Sequence, residues 1–153
     1  MLTTRGMSLK AKGILYESCV RSVMVYGSET WAAKEEDIRR IERADLSMIR
    51  WMCNKSLRDR KASAELRERL GLLSIKEVIS RNRLRWFGHV ERMKLSSWAR
   101  RIVEMEVPGS RSKGRPRKTW WETVSVDMRK RGLNRELAQD RSGWKAAVIS
   151  HPG

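Results

Sequence analysis

Ser74-Ile75-Lys76-Glu77-Val78-Ile79-Ser80-Arg81-Asn82-Arg83-Leu84-Arg85-Trp86-Phe87-Gly88-His89-Val90-Glu91-Arg92-Met93 is the stretch that decides the fold. It opens with Ser-x-x-Glu, the capping-box form in which Ser74 and Glu77 each satisfy the other's free backbone N–H. Ile75, Val78, Ile79, Trp86, Val90 and Met93 then fall on one face at a period of about 3.6 residues, which predicts an amphipathic helix. At roughly 100° per residue, Arg81, Arg85 and Arg92 line one flank of that stripe and Arg83 the other. Leu84 and Phe87 point away from it, so a second surface must cover them or they stay exposed. Gly88 weakens the helix but permits close approach by a partner.

Upstream, Ile14, Leu15, Cys19 and Val23 recur at helical spacing in a first stretch from about Leu9 to Tyr26, with Gly27 as a stop. A second helix is expected from Lys34 to Met52. Ile38, Ile41, Asp45, Met48, Ile49 and Met52 share one side of it, so Asp45 interrupts an apolar stripe. Asn54 to Arg60 reads as a polar, basic connection. Ser63 is positioned to cap a short helix carrying Leu66 and Leu70 and ended by Gly71.

Downstream, Val103, Met105 and Val107 alternate with Glu104 and Glu106, a pattern that suits a short strand over 100–107. Pro108-Gly109-Ser110-Arg111-Ser112-Lys113-Gly114-Arg115-Pro116-Arg117-Lys118 holds five basic residues and no acid, and reads as a linker. Thr119 then starts a helix bearing Trp120 or Trp121, Val124 and Met128, ended by Gly132. A last helix over 134–149 puts Leu137, Trp144 and Val148 inward, with Gly143 weakening it. The expected architecture is all-α: a helical bundle over 1–107, a basic linker over 108–118 and a smaller helical segment over 119–153.

Charge narrows the partner. Thirty-four Lys and Arg against eighteen Asp and Glu give a formal +16 in 153 residues and a pI near 10.9. Self-repulsion on that scale is relieved by a polyanion, and nucleic acid is the commonest one. Hydrophobic residues at 40% are too many for a chain disordered throughout. No apolar run approaches the roughly 20 residues that span a bilayer, so no membrane partner is expected. Cys19 and Cys53 are too few for a disulfide framework or zinc module and read as packed, reduced thiols, which sets an intracellular environment. His89 and His151 add no metal-ligand spacing, so neither metal nor cofactor is expected.

No nucleotide-binding glycine loop, Gly-x-Ser-x-Gly or His-Glu-x-x-His is present, and no enzyme activity is expected. His89 reads as a core or boundary histidine. Lys113-Gly114-Arg115-Pro116-Arg117-Lys118 has more to offer. Glycine allows an extended path close to another backbone, and proline fixes φ and removes an N–H. The hexapeptide resembles an AT-hook core, and the resemblance implies that Arg115 enters a narrow A·T minor groove with Lys113 and Arg117 beside it. A solvated basic linker or a nuclear localisation signal reads equally from these residues. Of seven tryptophans, Trp51, Trp86 and Trp144 fall at core spacing, while Trp98, Trp120 and Trp121 are candidates for stacking on bases.

Several strings together resemble one family. Leu15-Tyr16-Glu17-Ser18-Cys19-Val20-Arg21-Ser22-Val23-Met24-Val25-Tyr26-Gly27-Ser28-Glu29-Thr30-Trp31 is similar to the stretch after the polymerase core in non-LTR retrotransposon reverse transcriptases. Ile49-Arg50-Trp51-Met52 with Leu57-Arg58-Asp59-Arg60 follows, then Arg83-Leu84-Arg85-Trp86-Phe87-Gly88-His89-Val90, the most specific block. Lys113 to Trp120 and Glu136-Leu137-Ala138-Gln139-Asp140-Arg141 with Trp144 complete the order. The resemblance implies a C-terminal thumb and post-thumb region, helical, holding an RNA·DNA hybrid or duplex DNA. The Tyr-x-Asp-Asp motif of the palm is absent, as are the family's endonuclease and its zinc knuckle. On this reading Arg81, Arg83 and Arg85 meet duplex backbone, with Arg111, Lys113, Gly114, Arg115, Pro116, Arg117 and Lys118 contributing from the linker. The face a palm would cover is then open to self-association, and a nuclear location is expected. A stand-alone hook-type DNA-binding protein, a helical partner for an acidic protein and a transposon relic without selected function are the other readings.

Overall fold

The computed structural model describes residues 6–105 and 118–150, and among them the chain is all-α, without strands. It divides into two compact units, the first made of 1–27 and 34–79 and the second of 28–33 and 80–153. The division falls inside one helix, α5 (Ile75–Glu91), and residues 80–105 share the second unit with 118–150.

In the first unit the N-terminal stretch forms α1 (Leu9–Leu15), a π-helical turn over Tyr16–Arg21, and α2 (Ser22–Met24). Ser8 caps α1 through its hydroxyl, which accepts from the Ala11 N–H at 3.2 Å. The face expected to be buried is not the one that is. Ile14 and Val23 are exposed, as is Cys19, whereas Lys12, Gly13, Tyr16 and Arg21 are buried. Ile14 lies in α1, which buries the face carrying Lys12 and Gly13; past Tyr16 the i→i+5 bonds of the π turn shift the helical phase that a 3.6 period assumes. α3 (Glu35–Met52) starts with Glu35, Glu36 and Asp37 in its first turn, where the helix dipole favours acids. It buries Ile38, Asp45, Ile49 and Met52, as its stripe predicts.

α4 (Ser63–Leu70) buries Leu66 and Leu70 and ends on Gly71 at φ +69°. That left-handed C-terminus suits glycine. The residue ahead of α4 is Ala62, so Ser63 is the first helical residue and not its cap. Tyr16, Ile49, Met52, Leu66, Leu70 and Leu72 form the unit's core. α1 packs so closely on α4 that a Cβ on Gly13 would run into the Leu70 carbonyl.

α5 begins as expected, with the Ser74 hydroxyl accepting from the Glu77 N–H at 3.2 Å. Its apolar stripe holds at Val90, which is buried, but is broken at Trp86. Ile75 and Ile79 are buried in the first unit, but in the second unit Leu84 and Phe87 are fully buried while Trp86 is only half-buried. The surface required to cover Leu84 and Phe87 is supplied by α7 (Trp120–Lys130) and α8 (Arg141–Ser150), which bring Val124, Met128, Trp144 and Val148 into one core with them. Gly88 admits the Trp144 indole, which occupies the space a Cβ would need. The indole Nε1 donates to the Leu84 carbonyl at 2.9 Å.

Two further expectations are corrected. Residues expected to form a strand are α6 (Trp98–Glu104), a helix in which Arg100 pairs with Glu104 at 3.0 Å across one turn. The alternation of Val103 and Met105 with glutamates was a local coincidence that the i,i+4 pair outweighs. The last expected helix is broken into a 3-10 turn at Glu136–Gln139 and α8, because the Asp140 side chain accepts from the Ser142 N–H at 3.0 Å and restarts the helix. α7 opens with a capping box between Thr119 and Glu122. The linker over 108–118 lies outside the described residues except for Lys118, as does most of the segment joining it to α6.

Candidate nucleic-acid interface

The middle of α5 carries Arg81, Arg83 and Arg85, and the fold gives them three different surroundings. Arg83 is buried, and its guanidinium pairs with Asp127 of α7 at 2.5 Å. That is a correction to its expected place among backbone-contacting arginines: a charge this deep, with its carboxylate in reach, is held by the fold and not offered to solvent. Arg81 is half-exposed and donates to the Ile149 carbonyl at 2.8 Å, satisfying a last-turn oxygen of α8. Arg85 is exposed, and no partner is found for it among the described residues.

Arg92, placed with Arg81 and Arg85 on one flank, donates to the Ala138 carbonyl at 2.5 Å and is half-buried. The flank is therefore not an open row of cations. Arg81 is tied to the end of α8 and Arg92, just past α5, to the 3-10 turn, and Arg85 is the exposed member of the three. The sequence could place these arginines on the helix, but not show that the ends of α8 and the 3-10 turn reach them. Lys118 is exposed at the start of the C-terminal segment. Arg111, Lys113, Gly114, Arg115, Pro116 and Arg117 lie outside the described residues.

Two further carboxylates of the second unit, Glu91 and Glu104, are engaged by arginines of the same unit. Glu91, nearly fully buried, receives Arg100 at 2.5 Å and Arg135 at 2.9 Å, and Glu104 joins both arginines. Burial pushes the Glu91 carboxyl up, but hydrogen bonds from Arg135 and Arg100 outweigh it and hold the group below the usual carboxylate range. The same network raises the Arg135 guanidinium, first through its bond to Glu91.

In the first unit the buried polar cluster is Arg21, Asp45 and Tyr16. Arg21 grips Asp45 through Nε and Nη2, both at 2.8 Å, and the Tyr16 hydroxyl donates to the same carboxylate at 3.0 Å. Burial, and then the Asp45 charge, pushes the Tyr16 phenol well above its ordinary range, so it stays a donor. This explains the interruption of the α3 stripe: Asp45 is turned inward to meet an arginine that the π turn delivers. The cluster joins the N-terminal segment to α3 and acts as a structural tie.

The aromatic candidates also separate. Trp120 is half-buried and donates through Nε1 to the Glu29 carbonyl at 2.7 Å. Trp121 lies 5.6 Å from the Phe87 ring, with the Arg135 guanidinium 5.5 Å from its own. Trp98 is 73% exposed. Trp51, expected in the core, is exposed, and His89 is exposed beside Trp86 at 5.5 Å between ring centroids. Among the described residues no cluster of His, Cys, Asp and Glu is arranged to hold a metal ion, and no helix is long and apolar enough to cross a membrane.

These features define a strongly basic chain, all-helical among the described residues, whose buried carboxylates there are paired with arginines within each unit. No protein-family model matches it, and no solved structure does. It is similar to an uncharacterized transposon-derived protein of Caenorhabditis elegans, 24% identical over 146 residues. The match covers 88% of this chain and 52% of that protein, so the chain spans about half the length of the curated relative. The likeness supports a transposon origin for the chain.

Proposed function

We propose that the chain is a nucleic-acid-holding module corresponding to the thumb and post-thumb region of a non-LTR retrotransposon reverse transcriptase, without catalytic residues of its own and acting in the nucleus. The observation that carries this reading is how the charge is distributed. Asp45, Asp127 and Glu91, the buried acids, are taken by Arg21, Arg83, Arg100 and Arg135 inside each unit. The formal +16 is thus not offset by those acids, and a polyanion relieves the excess. The transposon-derived relative agrees with this origin, and the block order read from the sequence supplies the part of the enzyme concerned. Arg85 and the basic segment from Arg111 to Lys118 are the contacts this reading assigns, with Arg81 in support.

The test is binding of the purified chain to a primer–template RNA·DNA hybrid and to A·T-rich duplex DNA across a salt series. Contact with about five phosphates gives a log–log slope near −4.5, at roughly −0.9 per phosphate. Arg85→Ala should make that slope shallower by about one contact on the hybrid. Arg115→Ala acting mainly on the A·T-rich duplex would favour the hook-type reading instead. If neither substrate binds at moderate salt, the nucleic-acid reading fails.

A further inference from the structure

We infer that the outer face of α6 is a stacking platform for an unpaired base of single-stranded nucleic acid, with Trp98 as the platform and Arg101 as its cation. This deepens the proposed function and rests on it. α6 is two-sided. Arg100 is buried and, with the exposed Glu104 one turn on, joins the network with Glu91 and Arg135. At about 100° per residue, Trp98, Arg101 and Ile102 share the opposite side. Trp98, Ile102 and Met105 are 73%, 63% and 61% exposed, and the nearby Leu95 is exposed at 72%. The Arg101 guanidinium lies 4.8 Å from the Trp98 ring centroid.

Charge selects the occupant. α6 has a single acid, Glu104, whose exposed carboxylate is already paired with Arg100 and Arg135, so within α6 Arg101 has no carboxylate of its own. An apolar protein surface closing over the outer face would bury Arg101 without a partner, which is costly. A second copy of this chain would bring another +16 toward the first. A nucleotide answers both halves of the surface: its base offers a π-face to the indole, and its phosphate an anion to the guanidinium. A base paired within a duplex keeps its faces covered by its neighbours. An exposed indole therefore discriminates in favour of a single strand.

The experiment measures binding of the full chain to a labelled single-stranded dT 20-mer and to a blunt duplex of mixed sequence, each over a salt series. Trp98→Ala is expected to weaken the dT 20-mer on the order of tenfold with the salt slope unchanged, because stacking releases no counterions. Trp98→Phe should retain most of the affinity. Arg101→Ala should make the single-strand slope shallower by about 0.7, and none of the three should move the duplex affinity. Trp98 is a surface residue, and an unchanged helical circular dichroism spectrum will certify each variant. If Trp98→Ala binds the dT 20-mer as tightly as wild type, the platform is refuted while the holding function stands. The platform is equally refuted if Trp98→Ala abolishes a dimer in sedimentation and leaves strand binding unaltered. Failure of the wild-type chain to bind either nucleic acid removes the platform and the parent reading together.

Discussion

Arg21 and Asp45 are 1% and 0% exposed, and each is the other's main compensation for leaving water. Removing one charge from such a pair leaves the other stranded, a loss of about 3–5 kcal/mol. Asp45→Asn should therefore shift the urea midpoint strongly, and joint replacement as Arg21→Met with Asp45→Leu should recover part of the loss. Additive losses in that double variant would show that the pair is not coupled. Glu91 poses a different question, that of pH. Its folded carboxyl sits below the usual range, so the stability it supplies is present above the unfolded value, about 4.3, and fades as pH falls through the folded one. Urea unfolding between pH 6 and 3 should show a steep acid limb in the wild type and a flatter one in Glu91→Gln.

At the scale of elements, close approach sets the sign of a familiar substitution. Gly→Ala inside a helix ordinarily gains up to about 1 kcal/mol from propensity. At Gly13 the new methyl meets the Leu70 carbonyl, a backbone atom that cannot swing aside. Gly13→Ala should accordingly lose roughly 1–3 kcal/mol by chemical denaturation; a gain would mean that α1 and α4 separate easily. The elements also mark what the sequence could convey. α3, α4, α7 and the start of α5 were legible because each combines a cap or first-turn acid with a stripe that stays on one face. Beyond Tyr16 the N-terminal run was misjudged because a π turn has no signature in a 3.6-residue period. The stripe of α5 failed at Trp86 because one helix serves two cores, and no local pattern reveals where the second core begins. α6 was missed because Val103, Glu104 and Met105 alternate, and the pairing of Arg100 with Glu91 and Glu104 depends on chain far away in sequence. The candidate site was legible as a set of basic residues. Which arginines were already committed, as Arg83 is to Asp127, was not.

For the molecule as a whole, the excess of positive charge makes folding and binding respond to salt in opposite directions. Screening relaxes self-repulsion, so raising NaCl from 50 to 200 mM should raise the thermal midpoint. The same change should weaken nucleic-acid binding by orders of magnitude if about five phosphates are engaged. Heparin at low salt should raise the midpoint as well, being a polyanion that favours the folded state. A midpoint indifferent to both would mean that the charges lie too far apart to repel. The π turn at Tyr16–Arg21 bears on the gene that encodes the chain. It accommodates one residue more than an α turn would, so loss of the Cys19 codon lets the segment relax to plain α-helix, with Gly13 and Arg21 still facing Leu70 and Asp45. The same loss in the middle of α3 would turn everything after it by about 100° and carry Asp45 or its neighbours off the core. The π turn thus holds a spare codon, and the chain without Cys19 should keep its fold where its counterpart shortened in α3 does not.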